Sequence, residues 1–234
     1  MLTVKNMAIP MDRNYSLLRL LHLVSPTLPT GAFSYSQGLE WAVEAGWVHD
    51  SSSLAEWLSD LIQQSLAYVD IPILFRMYIS VKEKQYGDLE HWCSTLLACR
   101  ESSELQQEER VRGRALTRLL HGLGLNFPEQ LEKSLNHSQL VGFAFAAVKW
   151  DIDIQDAALG YTWAWLENQV IAGIKIIPLG QTEGQCVLLQ LSSKISEVVK
   201  QGTQIKAKEI GAASSSMAIA CSLHENQYTR LYRS

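Results

Sequence analysis

The residues of this chain that could do chemistry are few, and they lack the spacings that catalysis requires. Gly31–Ser36 (GAFSYS) invites comparison with the G-x-S-x-G nucleophile elbow, but that motif follows a strand and no strand is predicted before it. We therefore interpret Ser34 or Ser36 as the cap of a following helix. The sequence contains no GxxxxGK[ST] phosphate loop, so we do not expect nucleotide binding of that kind.

The histidines and cysteines do not predict a metal site. The six histidines form no His-x-His or i,i+4 pair, and the four cysteines show no CxxC spacing. We expect surface or core-polar roles for the histidines and free, packed thiols for the cysteines. Pairing of one histidine with its symmetry mate across a dimer axis stays open. The sequence thus predicts no catalytic residue, no metal ligand and no cofactor.

Two polar segments point instead to contact with another protein. Pro29–Gly46 (PTGAFSYSQGLEWAVEAG) is a loop with glycines that runs into an amphipathic helix, and His224–Ser234 (HENQYTRLYRS) is rich in Tyr and Arg. Tyr and Arg are enriched at binding hot spots. A frayed terminus is the alternative interpretation of the second segment. The residues alone leave both interpretations open.

Length and composition set the broad class. The 234 residues are 47% hydrophobic and 19% charged, as in an ordinary globular protein, and they suffice for one domain with a large core. The net charge of −4 argues against nucleic acid as a partner. The longest apolar run, Val141–Val148, is far shorter than the roughly 20 residues of a membrane span. The first residues lack the pattern of a signal peptide, so we expect a cytoplasmic protein without a membrane partner.

Helical periodicity dominates from Tyr15 onward, and no stretch alternates as a strand does. Ala157–Ile177 is apolar around most of its circumference, which predicts a central, buried helix. Ser53–Glu56 has the pattern of a capping box, and Asp70–Pro72 is interpreted as the start of a separate helix. The charge run Glu101–Arg114 is typical of a solvated helix face. Together these patterns predict an all-α, single-domain bundle of about nine or ten helices.

The same patterns divide the chain into three parts. Residues 1–14 have no helical period and contain Pro10, which predicts a flexible N-terminal extension. Residues 15–213 are predicted to form the all-helical core. Residues 214–234 are predicted to be a C-terminal tail that binds a partner.

Three segments resemble the UreF family of urease accessory proteins. They are SPTLPTGAFSYSQGLEWAVEAGWV (25–48), PLGQTEGQ (178–185) and HENQYTRLYRS (224–234), in the order and at the spacing of that family. The resemblance covers residues 17–234. It implies an all-α fold, no enzymatic activity, and a role as an assembly chaperone in nickel insertion into urease.

The resemblance also implies partners and site residues. Members of the family form homodimers and bind UreD (also called UreH), which contacts the urease apoprotein, and this pair recruits the nickel-carrying GTPase UreG. The tail is implied to become ordered on binding UreD, with Arg230 anchored near Tyr35. The residues expected to bind partners or anchor the tail are Tyr35, Ser36, Gln37, Glu40, Tyr228, Arg230, Tyr232 and Arg233.

Two other classes of function compete with this one. A helical hydrolase that uses Ser34, Ser36 or the histidines would need its catalytic groups to converge in one pocket. A metal-storage protein would need clustered ligands, and the scattered histidines and unpaired cysteines argue against it.

Overall fold

Helices make up the regular structure of residues 13–211 and 214–234, which are the residues that the computed structural model describes. The first six are α1 (Arg13–Leu23), α2 (Leu39–Glu44), α3 (Ser51–Leu61), α4 (Ile71–Lys82), α5 (Tyr86–Ala98) and α6 (Ser103–Gly122). The others are α7 (Glu132–His137), α8 (Gln139–Lys149), α9 (Ile154–Ile176), α10 (Gln181–Gln204) and α11 (Ser215–His224). These ranges contain no strand, and the all-α prediction is confirmed.

The structure corrects the predicted start of the helix near Ser53. α3 starts at Ser51, and its capping box joins Asp50 to Ser53, because the Asp50 carboxylate accepts the Ser53 amide at 2.8 Å. The predicted helix start at Asp70–Pro72 is confirmed, since α4 begins at Ile71 with Pro72 in its first turn, and a π-helical segment, Ile62–Asp70, joins it to α3. Pro72 cannot donate a helical hydrogen bond, and the chain is wound more widely just before it.

α9 lies at the centre of the core, as its uniformly apolar sequence predicted. It packs against α10, α2, α4 and α1, and Leu166 and Val170 are completely buried. α8 packs against α4 and α6 and is almost entirely buried. Burial on this scale, at about 25 cal/mol per Å² of apolar surface, supplies the main stabilisation of the bundle.

The helical core in the structure begins and ends at other residues than predicted. Arg13 and Asn14 already belong to α1, and residues 1–12 of the predicted extension lie outside the described residues. At the other end, α11 is part of the core rather than of the tail, because Met217, Ala220 and Cys221 join the hydrophobic core. The tail proper, after this correction, consists of residues 225–234.

A close approach between α11 and the start of α2 brings the tail to its binding site. Gly38 has φ +82°, and a Cβ there would lie 3.0 Å from Ala220 Cβ and from Cys221 N and Sγ. Glycine is the residue that combines this left-handed conformation with so close a contact. α11 therefore ends beside α2, and the tail continues across the N-terminal end of that helix.

Candidate functional site

The loop before α2 binds the last residue of the tail. The amides of Ser36 and Gln37 donate to the Ser234 O atom at 2.7 and 2.9 Å, and Ser36 Oγ donates to the same atom at 2.6 Å. Gln37 has φ +53° and Gly38 has φ +82°, so two successive residues adopt the left-handed conformation. Such turns direct neighbouring N–H groups toward one acceptor. This receptor loop thus presents two backbone N–H groups and one hydroxyl to the same Ser234 oxygen.

Ser36 also contacts the first turn of α2, but the cap expected at Ser34 or Ser36 is wrong, because Gly38 is the N-cap of this helix and makes no side-chain cap bond. Ser36 Oγ accepts the amide of Glu40 at 3.3 Å, in the first turn of α2, and Ser36 is completely buried. Ser34 instead ends a short 3-10 turn, and its carbonyl accepts the Arg233 amide at 2.8 Å. The Ser36 hydroxyl is therefore bonded to two backbone groups, an arrangement unlike that of a nucleophile paired with a base.

Glu40 holds the middle of the tail. Its Oε1 accepts the Leu231 amide at 2.6 Å, and its Oε2 accepts the Tyr232 amide at 2.9 Å. The same Oε2 lies 3.2 Å from Nε2 of His224, and the Glu40 side chain is only 11% exposed. Hydrogen bonds to a charged acceptor in such a setting are roughly twice as strong as neutral ones. Glu40 is therefore the principal side-chain anchor of the tail.

Arg230 is anchored by Glu104, which corrects the expectation that its anchor lies near Tyr35. The guanidinium Nη1 donates to Glu104 Oε1, and Glu104 Oε2 lies 2.7 Å from Nδ1 of His224. The carbonyl of Tyr35 faces the amide of Asn168 at 3.5 Å. Arg230 reaches Glu104 because α6 begins beside the tail. The Glu225 carboxylate, at the start of the tail, accepts the amide of Ser103, the first residue of α6.

Glu108, one turn after Glu104, connects the end of the tail to two further elements. Its Oε2 accepts Ser234 Oγ at 3.2 Å, and its Oε1 accepts Gln37 Nε2 at 2.9 Å and Arg112 Nη1 at 2.6 Å. Gln37 in turn accepts Trp165 Nε1 at 2.8 Å. These bonds link the tail, the receptor loop, α6 and α9 in one network.

A buried ion-pair network fixes α6 in place. Arg100 Nη2 lies 2.6 Å from Asp70 and 2.9 Å from Glu109, and the Tyr161 hydroxyl donates to the same Asp70 oxygen at 2.7 Å. Burial opposes the charge of Arg100, but the two carboxylates raise its pKa well above the usual value. Burial and the same carboxylates raise the pKa of Tyr161, which keeps it a neutral donor.

Burial separates the predicted site residues into two groups. Tyr35, Ser36 and Tyr232 are buried, and burial together with Glu40 raises the pKa of Tyr232 to about 12, so its hydroxyl stays protonated. The other group is exposed. Tyr228 is fully exposed, as is most of Leu231 (66%), and Arg230 and Arg233 also face outward. Residues 228–231 of the tail are thus exposed as a group, whereas Tyr232 and Ser234 are buried.

The sequence analysis missed three residues of the site: His224, Glu104 and Glu108. The charge run Glu101–Arg114 is not a uniformly solvated face, because Glu108 and Glu109 are only 3% and 4% exposed. The four-residue spacing of Glu104 and Glu108, which places them on one face of α6, was the available signal. His224 is completely buried between two carboxylates, which a lone histidine in a polar segment did not indicate.

The contacts of the site are hydrogen bonds and ion pairs between the tail and α2, α6 and the receptor loop. Within residues 13–211 and 214–234, no group of three or more His, Cys, Asp or Glu side chains could hold a metal ion. Among the same residues, none of the helices combines the length and apolar character needed to cross a membrane. All four cysteines are free thiols, as predicted. The site's chemistry is the recognition of backbone and charged groups of the tail.

Comparison with known proteins identifies relatives that match nearly the whole chain. The sequence model of the UreF family matches residues 48–192, which is more than half of the chain. The chain is 44% identical over 227 residues to the urease accessory protein UreF of Alcanivorax borkumensis, covering 94% of this chain and 99% of that protein. It is 46% identical over 224 residues to the UreF of Pseudomonas putida strain W619, covering 96% of this chain and all of that protein.

Proposed function

Because the chain belongs to the UreF family of urease accessory proteins, we propose that it is a non-enzymatic assembly chaperone. Together with UreD (UreH), it would recruit the GTPase UreG and modulate its activity, so that nickel is inserted into the urease apoprotein. We also propose that it acts as a homodimer in the cytoplasm. The nickel ion is cargo in this scheme, and the nucleotide site belongs to the GTPase.

One observation supports this proposal above the others: the tail is fixed through its backbone while several of its large side chains face solvent. Glu40 and the Ser36–Gln37 loop take up backbone groups, whereas Tyr228 and Leu231 are exposed. Because the backbone of the tail is already fixed, a partner that binds its exposed Tyr and Arg side chains costs little further backbone entropy. This is the property of a preorganised interface. We propose that the UreD–UreG assembly contacts this exposed edge.

Capture of the partners by variants of the tail tests the proposal. Deleting residues 228–234 should abolish recovery of UreG on a tagged UreD-like partner. Arg230→Ala removes the pair with Glu104, a contact whose arginine side chain is 37% exposed. A partly exposed pair contributes about 1 kcal/mol, so recovery should fall roughly fivefold.

Arg118→Ala is the matched control, because Arg118 is an exposed arginine at the far end of α6. It should leave capture unchanged. Equal recovery of UreG from the wild-type and truncated proteins, with both folded by circular dichroism, would show that the tail is not the binding edge. Size-exclusion chromatography with light scattering measures the proposed dimer directly.

A further inference from the structure

His224 stands at the centre of the tail site with both ring nitrogens facing carboxylates. Nδ1 lies 2.7 Å from Glu104 Oε2 and Nε2 lies 3.2 Å from Glu40 Oε2, and the ring is completely buried. A neutral imidazole carries one N–H and can donate to one of these oxygens, whereas an imidazolium donates to both. Glu40 already accepts two backbone N–H groups, so its oxygens serve as acceptors. The geometry thus places a carboxylate oxygen at each ring nitrogen, and only the charged ring can donate to both.

The two carboxylates on His224 are those that hold the tail. Glu40 accepts the amides of Leu231 and Tyr232, and Glu104 accepts the guanidinium of Arg230. One ring therefore sets the position of the acceptors for three consecutive tail residues.

The charges around His224 are mostly negative. The ring contacts Glu40 on α2 and Glu104 on α6. Glu108 lies one turn further along α6, Cys221 and Glu225 lie at the end of α11, and Arg230 of the tail pairs with Glu104. Burial raises the pKa of the Cys221 thiol, which stays neutral. Loss of the imidazolium charge would leave Glu40 and Glu104 close together, with Arg230 as the nearest cation on the tail, and like charges in a buried setting repel strongly.

We propose that His224 is a positioning residue whose protonated ring holds the tail in its docked position, and that loss of this proton releases residues 230–232. The docked tail is then favoured at lower pH and released as the pH rises through the titration of His224. The proposal rests on the proposed function only in taking the docked tail as the partner-binding form. The switch itself belongs to the isolated protein.

Amide hydrogen exchange on the isolated full-length protein tests this switch. Exchange of the Leu231 and Tyr232 amides, corrected for the intrinsic rate at each pH, should lose protection by about tenfold or more between two pH values at which NMR shows the His224 ring charged and neutral. The midpoint should coincide with the titration of His224 Cε1–H observed by NMR. Amides of α9 serve as the internal reference for global unfolding. Constant tail protection through the titration of His224 would overturn the proposal, as would full protection with a neutral ring.

Two variants sharpen the result. His224→Gln keeps one hydrogen-bond donor but cannot be charged, so the tail should show low protection that does not change between these pH values. His121→Gln replaces an exposed histidine at the end of α6 and should retain the wild-type pH dependence. If His224→Gln does not fold, the pH dependence of tail protection in the wild-type protein still tests the proposal. A tail that is released with pH but never captures UreG would contradict the proposed function and leave the switch intact.

Discussion

Replacing Glu40 by Gln is expected to undock the tail while the helices stay folded. The carboxylate accepts the Leu231 amide at 2.6 Å and the Tyr232 amide at 2.9 Å. Glutamine has the same shape, but it turns one acceptor into a donor that faces a backbone N–H. One bond to a charged acceptor becomes a weaker neutral bond, and the other is lost with an unpaired donor. At about 1.5–3 kcal/mol for a bond to a charged group, the combined loss is about 3 kcal/mol, or roughly a hundredfold in the docking equilibrium.

Trypsin cleavage after Arg230 measures this equilibrium. A protease requires an extended, undocked segment, so the cleavage rate follows the population of the released tail when docking is fast. Glu40→Gln should therefore be cleaved about a hundred times faster than wild type, with unchanged far-ultraviolet circular dichroism. The control is Glu197→Gln, which makes the same substitution at an exposed position of α10, an element outside the tail site described above. Equal cleavage of wild type and Glu40→Gln would refute the assignment of Glu40 as the anchor.

The same geometry yields three further predictions. Gly38→Ala should lower the free energy of unfolding in urea by about 1–3 kcal/mol, because it strains a left-handed residue against α11; an unchanged midpoint would contradict this. In the Tyr232→Phe variant, trypsin should cleave the tail no faster than in wild type, because the buried Tyr232 hydroxyl has no partner among the described residues. Tyr232→Ala should make the free energy of docking less favourable by about 3 kcal/mol. Faster cleavage of the Phe variant would contradict this prediction. In thiol labelling of the native protein, exposed Cys186 should react quickly, whereas buried Cys93 and Cys221 should react only after unfolding. Burial raises the pKa of Cys93 to about 12 and also raises the pKa of Cys221, which keeps both thiols protonated. Rapid labelling of either buried thiol would refute the packing.

The fold was predictable because its determinants are local. Helical periodicity and the uniformly apolar stretch of α9 are properties of neighbouring residues, and they identified an all-α bundle and its central helix. The errors lie at helix ends and joins. The π-helical segment Ile62–Asp70 ends at Asp70, whose carboxylate binds Arg100 and Tyr161 from distant parts of the chain. Periodicity carries no information about such contacts.

The tail site was predictable only in part, because its contacts join residues far apart in sequence. Ser36 and Ser234 are 198 residues apart, and Glu104 and Arg230 are 126 apart. The resemblance to a family identified both polar segments but not the helix between them that carries Glu104. A histidine with two carboxylate neighbours becomes visible only when three separate elements are brought together by the fold.

The energetics of docking explain why single residues of this site should act as switches. Fixing the backbone of residues 230–234 costs about 5–10 kcal/mol. Three backbone–backbone hydrogen bonds and five that involve a side chain hold this segment, and four of the five go to the carboxylates of Glu40, Glu104 and Glu108. A neutral bond contributes about 1 kcal/mol net, a bond to a charged group contributes about 1.5–3 kcal/mol, and burial of Tyr232 adds about 2 kcal/mol. These contributions offset the entropy cost, and the bonds to the carboxylates supply much of the excess that favours the docked form. Removal of one charged anchor, or of the proton on His224, is then large enough to shift the population from one form to the other.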